Sequence, residues 1–365
     1  MNHIVFHNDV DGIMSASLLR CYDADEYSES CLYPVTSTMR GGQTKKIWSG
    51  ISAEDKVAIL DFEYSGRADL WIDHHFNSDL GPHPVKNNRL FYDPGAKSAA
   101  ALVMEKCEAS LAQKEIIHMC NMIDSALYPN VNFIFESDHP LMILRAYLET
   151  AFPSDMTYCR IVEMISHNKC DIEKSLCLMR IGYDAVKNIQ KLARQIGKNM
   201  VRFGSCSCVN QSRPGEYPRY SEFFVQKDVE YSIRISKSGP HQKYIQIGFN
   251  HFVNIPNTIN LGEFLRGLPY VRGGGHFNVA AGIIKNEDEE RFLDDIDMHF
   301  NQEADMEKYG VDKKDPVENR AQELVKEGVD IDAARVRSQK EMEKESDASS
   351  ESELQSEGDF RKQID

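Results

Sequence analysis

The chain has 365 residues, 41% of them hydrophobic, and a formal net charge of −15. That length allows two domains with a sizeable core, and no apolar run reaches membrane-spanning length. The acidic balance disfavours nonspecific binding to long nucleic acid, which rests on neutralising many phosphates, but not a short phosphate ester held through metal ions, because bound cations reverse the local charge.

The first element is an apolar run, Ile4-Val5-Phe6, that reads as a strand and ends in His7-Asn8-Asp9-Val10-Asp11-Gly12. A helix then starts at Ile13 and runs through Leu19. The start, Met1-Asn2-His3-Ile4, lacks the basic segment and apolar core of a secretory signal, so a cytoplasmic protein is expected. Alternation places His7, Asp9 and Asp11 on one side of an extended segment. Carboxylates with an imidazole suit Mn²⁺ or Mg²⁺, or Fe or Zn. Taken alone, the pattern fits equally a turn whose aspartates cap the following helix.

Leu32-Tyr33-Pro34-Val35 reads as a weak strand, followed by a basic loop from Met39 to Lys46. The run Lys56 to Leu60 then ends in Asp61-Phe62-Glu63, and Ala68 to Ile72 ends in Asp73-His74-His75. Three short apolar strands thus terminate in acid or histidine. Repeated endings of that kind point to a parallel sheet with a metal centre along its carboxyl edge. Asp93-Pro94-Gly95 is turn chemistry, and Ser98 is placed to cap a helix over Ala99–Met104. A further helix from Lys114 ends at Asp124, which by its local surroundings reads as a solvated loop acid.

Helices are expected over Leu141–Leu148 and Ile161–Ile165, and one long helix over Asp171–Lys198. His118 and His167 read as packing or surface residues. Strands are expected at Phe223–Val225, Tyr231–Ile235 and Lys243–Phe249, and a helix at Leu261–Leu265. The nine cysteines form no C-x-x-C pair, and Cys206-Ser207-Cys208 reads as structural, so the thiols are taken as reduced. Arg272-Gly273-Gly274-Gly275-His276, followed by Ala280-Ala281-Gly282 and a strand at Ile283-Ile284, reads as a glycine loop able to bring amides to an anion. The bare glycine run is also what a flexible loop looks like. A helix from Glu287 to Phe300 closes this part, and a short one is compatible with Val317–Lys326. The expected architecture is α/β: a parallel sheet flanked by helices over 1–180, a helical linker over 181–199, a smaller α/β domain over 200–303, and an acidic, largely disordered tail over 304–365 whose partner is unknown.

Together these motifs, in this order, resemble the DHH phosphoesterases that carry a C-terminal DHHA1 domain. Asp73-His74-His75 matches the naming motif, His7 to Gly12 the first motif, Asp61 the second and Asp124 the fourth. Arg272 to His276 with Ala280-Ala281-Gly282 matches the DHHA1 signature, and Ser232-Ile233-Arg234 its serine-x-arginine strand. The first motif has the short H-x-D-x-D form of small oligoribonuclease-like members. The resemblance implies two Mn²⁺ ions, one held by His7 and Asp9, one by Asp11, His74 and Asp124, with Asp61 bridging. It further implies that His75 contacts the substrate phosphate or leaving group while Asp73 orients a neighbour. Arg234, Arg272 and His276 would hold the distal phosphate, with Gly273, Gly274 and Gly275 allowing close approach. The implied activity is hydrolysis of very short oligoribonucleotides, such as the dinucleotide pGpG, to nucleoside 5′-monophosphates. A cyclic dinucleotide or pAp phosphoesterase, a single-strand 5′ exonuclease and a catalytically silent scaffold are the alternatives. Stable binding of long nucleic acid or of a membrane is not expected, and a homodimer is compatible.

Overall fold

The protein is described by a computed structural model that covers residues 1–36, 47–75, 80–107, 114–213, 215–275 and 277–308, the last eight by backbone alone. The basic loop at 39–46, His276 and all but the start of the tail, including the helix expected at 317–326, lie outside these residues. The chain divides into two compact units. The first comprises Met1–Lys198 with Tyr217–Val225, the second Asn199–Glu216 with the described residues from Gln226 on.

The first unit is built on six strands: β1 (Asn2–His7), β2 (Cys31–Val35), β3 (Lys56–Leu60), β4 (Leu70–Asp73), β5 (Val85–Lys86) and β6 (Leu90–Tyr92), in the order β2-β1-β3-β4-β6-β5. All neighbours are parallel except the short edge pair β5–β6. Ile4, Val5 and Phe6 on β1, Val57 to Leu60 on β3 and Leu70 to Ile72 on β4 are buried without alternation, as expected of a parallel sheet covered on both faces. The helix Val10–Tyr22 is buried from Val10 through Leu19, so it is enclosed all round and sits inside the unit. Because β2 and β3 lie on opposite sides of β1, the chain reverses its direction of progress there, and the carboxyl ends of β1 and β3 flank the switch point at which open parallel sheets place their ligands.

The helix expected over Asp171–Lys198 is two helices, Ile172–Leu178 and Asp184–Ile196. Arg180 turns left-handed at φ 57°, and the Ile181 amide returns to the Leu176 carbonyl at 2.9 Å, which ends the first helix. Gly182 follows in the break. Apolar spacing carries across this break and hides it. Phe223–Val225 is not a strand: Ser221–Val225 is helical, with Phe224 stacked on Phe135 at 4.5 Å, so packing overrides the β-propensity of the aromatic pair.

The second unit holds β7 (Met200–Phe203), β8 (Cys206–Gln211), β9 (Tyr231–Lys237), β10 (Gln242–Phe249), β11 (Arg272–Gly275) and β12 (Val279–Lys285), in the order β11-β12-β10-β9-β8-β7. Only β8 and β9 pair in parallel. Ile233, Ile235, Ile245, Ile247 and Ile284 form one face and pack with Leu261, Leu265, Phe292, Ile296 and Phe300. These last residues come from the helices Leu261–Gly267 and Glu289–Lys308. The glycine run, expected to be a loop, is strand β11. Its glycines serve close packing: a Cβ on Gly273 would meet the Ala281 carbonyl oxygen at 2.3 Å, and one on Gly262 would meet the Gly275 oxygen at 2.3 Å.

Candidate metal centre

The site forms at the carboxyl ends of β1, β3 and β4. His7 is the last residue of β1. Asp9 is not in the strand; it caps the helix Val10–Tyr22, its Oδ1 accepting from the Gly12 amide at 3.0 Å. Its Oδ2 lies 2.7 Å from His7 Nδ1. The capping role and the cluster role thus coincide in one carboxylate. Asp11 lies in the first helical turn, so strand alternation does not describe this segment; a strand end followed by a helix start brings the three residues together.

Asp11 is buried and accepts from the Ala99 and Ala100 amides at 2.6 and 2.9 Å. It thereby occupies the N-terminus of the helix Ala99–Lys106, where the free amides and helix dipole favour an anion. This contact spans 88 residues and leaves no mark in the sequence; the Ser98 cap marks the helix start but not what reaches it.

Asp61 follows β3 in a left-handed conformation, φ 55°, an unfavourable backbone state for a non-glycine residue. Its side chain is 0% exposed, yet neither carboxylate oxygen has a hydrogen-bond partner. Its nearest cationic neighbours, His7 Nδ1, His74 Nε2 and His75 Nδ1, all stand at 3.6 Å, too far for a good hydrogen bond. Burying an unpaired carboxylate is costly, and a divalent cation among these groups removes the cost. The donor set fits such an ion.

His74 donates from Nδ1 to the Ala96 carbonyl at 3.1 Å, which fixes its tautomer and turns Nε2 toward the cluster. That nitrogen is 3.1 Å from Asp124 Oδ2 and 3.7 Å from Asp11 Oδ2. Asp124 ends the helix Lys114–Asp124, where the dipole disfavours an acid. Its placement beside His74 offsets that penalty. Asp73 is buried, and its Oδ1 accepts from the His74 amide, the His75 amide and His75 Nδ1 at 2.9, 3.2 and 2.8 Å. The His75 ring, 57% exposed, is anchored by Nδ1 with Nε2 left for solvent or substrate.

Among the described residues, three groups bring candidate ligand atoms within 4.8 Å of one another: His7-Asp9-Asp61, Asp11-His74-Asp124 and Asp61-His74-His75. Asp61 and His74 each belong to two. Burial alone would push the His7 imidazole down, but the Asp61 and Asp9 carboxylates outweigh it and raise it to about 10. Burial is likewise overcome at His74, which Asp124 and Asp61 raise to about 11. Burial and the charges of Asp61 and Asp124 push Asp11 well above the usual carboxylate range. In the metal-free protein the two imidazoliums therefore stand in for cations.

A pH dependence follows. At neutral pH, below both histidine values, an entering ion displaces their protons, so raising the pH tightens metal binding and lowering it weakens it. Calorimetric titration in buffers of different ionisation enthalpy should register proton release on loading. A pH-independent affinity would show that the histidines are not displaced.

In the second unit, Arg234 of β9 is in register with Gln246, Gln246 with Ala281, and Ala281 with Gly274. Arg272 precedes Gly274 by two positions, so both arginines lie on one sheet face, opposite the isoleucine face. His118 and His167 are exposed and belong to none of the three groups.

No family model and no curated protein matches the sequence. Among solved structures, the pGpG-specific phosphodiesterase PggH from Vibrio cholerae is similar at 18% identity and a TM-score of 0.59, over 83% of this chain and 99% of that one. Exonuclease RecJ bound to manganese gives 10% identity and a TM-score of 0.47, over 82% and 89%. RecJ in complex with Mn²⁺ from Thermus thermophilus gives 11% identity and a TM-score of 0.47, over 82% and 52%. The parallel sheet with its acid-and-histidine edge, the second mixed sheet and the likeness to the Vibrio cholerae enzyme along nearly all of its length agree: this chain has the fold of the DHH-family phosphoesterases.

Proposed function

We propose that the protein is a metal-dependent phosphodiesterase that hydrolyses very short oligoribonucleotides, dinucleotides such as pGpG among them, to nucleoside 5′-monophosphates. The observation that carries this reading is the pair of histidine-carboxylate groups, His7-Asp9 and Asp11-His74-Asp124, meeting at the buried, unpartnered carboxylate of Asp61. Two divalent ions, Mn²⁺ by the family resemblance, would supply Lewis acidity at the phosphoryl group and an activated nucleophile at neutral pH. Asp61 would be the ligand common to both. Asp73 holds the His75 ring and raises its basicity, which suits the imidazole to offer a proton from Nε2 to a phosphate oxygen or to the departing oxygen. Arg234 and Arg272, with His276, are assigned to the distal phosphate, for which a guanidinium is the suited donor. The similarity to a pGpG-specific enzyme supports a dinucleotide, and the net charge of −15 supports a short one.

The test is single-turnover hydrolysis of ribonucleotides of increasing length, from the dinucleotide upward, with Mn²⁺ and with chelator, beside pAp and a cyclic dinucleotide. Mn²⁺-dependent cleavage should fall steeply beyond the dimer. Equal cleavage at every length would replace this reading with a general exonuclease, preference for pAp or the cyclic compound with another phosphoesterase, and failure to bind metal with a scaffold.

A further inference from the structure

Two thiols outside the metal centre are held together by the fold. Cys21 lies in the last turn of the helix Val10–Tyr22. Cys170 lies in the turn between the helices Asp155–His167 and Ile172–Leu178. Lys169 and Cys170 are both left-handed, at φ 56° and 62°, and the Cys170 amide returns to the Ile165 carbonyl at 2.9 Å. Asp171, next in the chain, caps the second helix through the Lys174 amide. Cys170 is therefore fixed on both sides. Its buried Sγ sits 4.0 Å from the Ser17 carbonyl, one helical turn before Cys21, and a helical side chain leans back over the turn that precedes it, which directs the Cys21 thiol to the same place. Both are free thiols.

We propose that Cys21 and Cys170 are a thiol pair that closes reversibly to a disulfide, stapling the helix that begins at the Asp9 cap to the turn at 168–171. The oxidant is a small-molecule disulfide. Cys21, the more accessible of the two, attacks as thiolate and releases one small thiol, leaving a mixed disulfide. Cys170 gives up its proton, attacks the Cys21 sulfur and expels the second small thiol. Two protein thiols are oxidised, and one small disulfide is reduced to two thiols. Burial pushes the Cys170 thiol well up, which makes the second step slow at neutral pH and faster as pH rises.

The experiment treats the full chain with glutathione disulfide, then maps peptides without reduction. A 21–170 linkage should dominate, form faster at higher pH, reverse with reductant and raise the thermal midpoint by roughly 5–10 °C, as closing so long a loop predicts. Cys21→Ser or Cys170→Ser should remove both the linkage and the shift, and Cys177→Ser, at an exposed thiol, should not. Dominance of any other linkage, or Cys21 stopping at the mixed disulfide, would overturn the proposal. Because the mapping is done on the unaltered chain, it does not depend on whether a variant folds.

Discussion

Asp61→Asn is expected to lower phosphodiester hydrolysis by about 10³-fold or more, the scale of losing a group that places charge at the reacting centre. Its second signature separates a metal ligand from a structural acid. In the metal-free protein, burial and Asp9 push the Asp61 carboxyl above its ordinary range. An acid raised in the folded state costs stability at any pH where it is ionised when unfolded. A neutral amide of the same shape removes that cost but also removes the carboxylate that raises the His7 and His74 imidazoles, so metal-free Asp61→Asn should melt close to the metal-free wild type. Saturating Mn²⁺ should separate the two. A ligand at one hundred times its dissociation constant stabilises the folded state by about 2.7 kcal/mol, and the variant should gain little of this. Thermal melts with and without metal decide the matter. A variant less stable than wild type without metal, yet equally stabilised by it, would make Asp61 a structural residue.

Different parts of this site are legible in the sequence for different reasons. His7, Asp9 and Asp11 stand out because the sequence packs them into five positions at a strand end, and Asp61 and Asp73 because each closes a short apolar run. The strand–turn–helix geometry that unites the first three is nevertheless not the single extended segment that alternation predicts. Asp124 stands out only through the family resemblance, since a helix-end acid looks like any solvated acid until its partner, His74, fifty residues earlier, is placed beside it. The Asp11 contacts to Ala99 and Ala100 are invisible for the same reason: a backbone amide has no sequence signature. In the second unit, β8 is hidden because Cys206-Ser207-Cys208 reads first as a pair of thiols, while its buried strand face, shared with Ile233 and Ile235, is a tertiary property. The glycines of β11 suggest an anion they could admit. Their structural reason is the approach of a helix and a neighbouring strand.

Gly12→Ala is expected to damage both the fold and the metal centre, though the residue has no functional group. A Cβ built on Gly12 stands 2.1 Å from the His7 carbonyl oxygen, 2.7 Å from its carbon and 2.8 Å from the His7 nitrogen. All three are backbone atoms of β1, which parallel neighbours hold on both sides, so no side chain can swing aside. Relief requires the helix start to move away from the strand end, and that movement separates His7 from Asp9 and Asp11. Overpacking of this severity costs about 3 kcal/mol. Gly66→Ala is the control: nothing lies within 4 Å of its Cβ, and the change should fall within about 0.5 kcal/mol of wild type. Denaturant unfolding measures the first effect. Calorimetric Mn²⁺ binding at a temperature where the variant is still folded measures the second, and a folded Gly12→Ala protein should bind roughly tenfold more weakly or worse, as a displaced ligand requires. Wild-type affinity in that folded variant would mean that the abutment of strand and helix at Gly12 serves stability alone, and that the first motif can place its ligands without it.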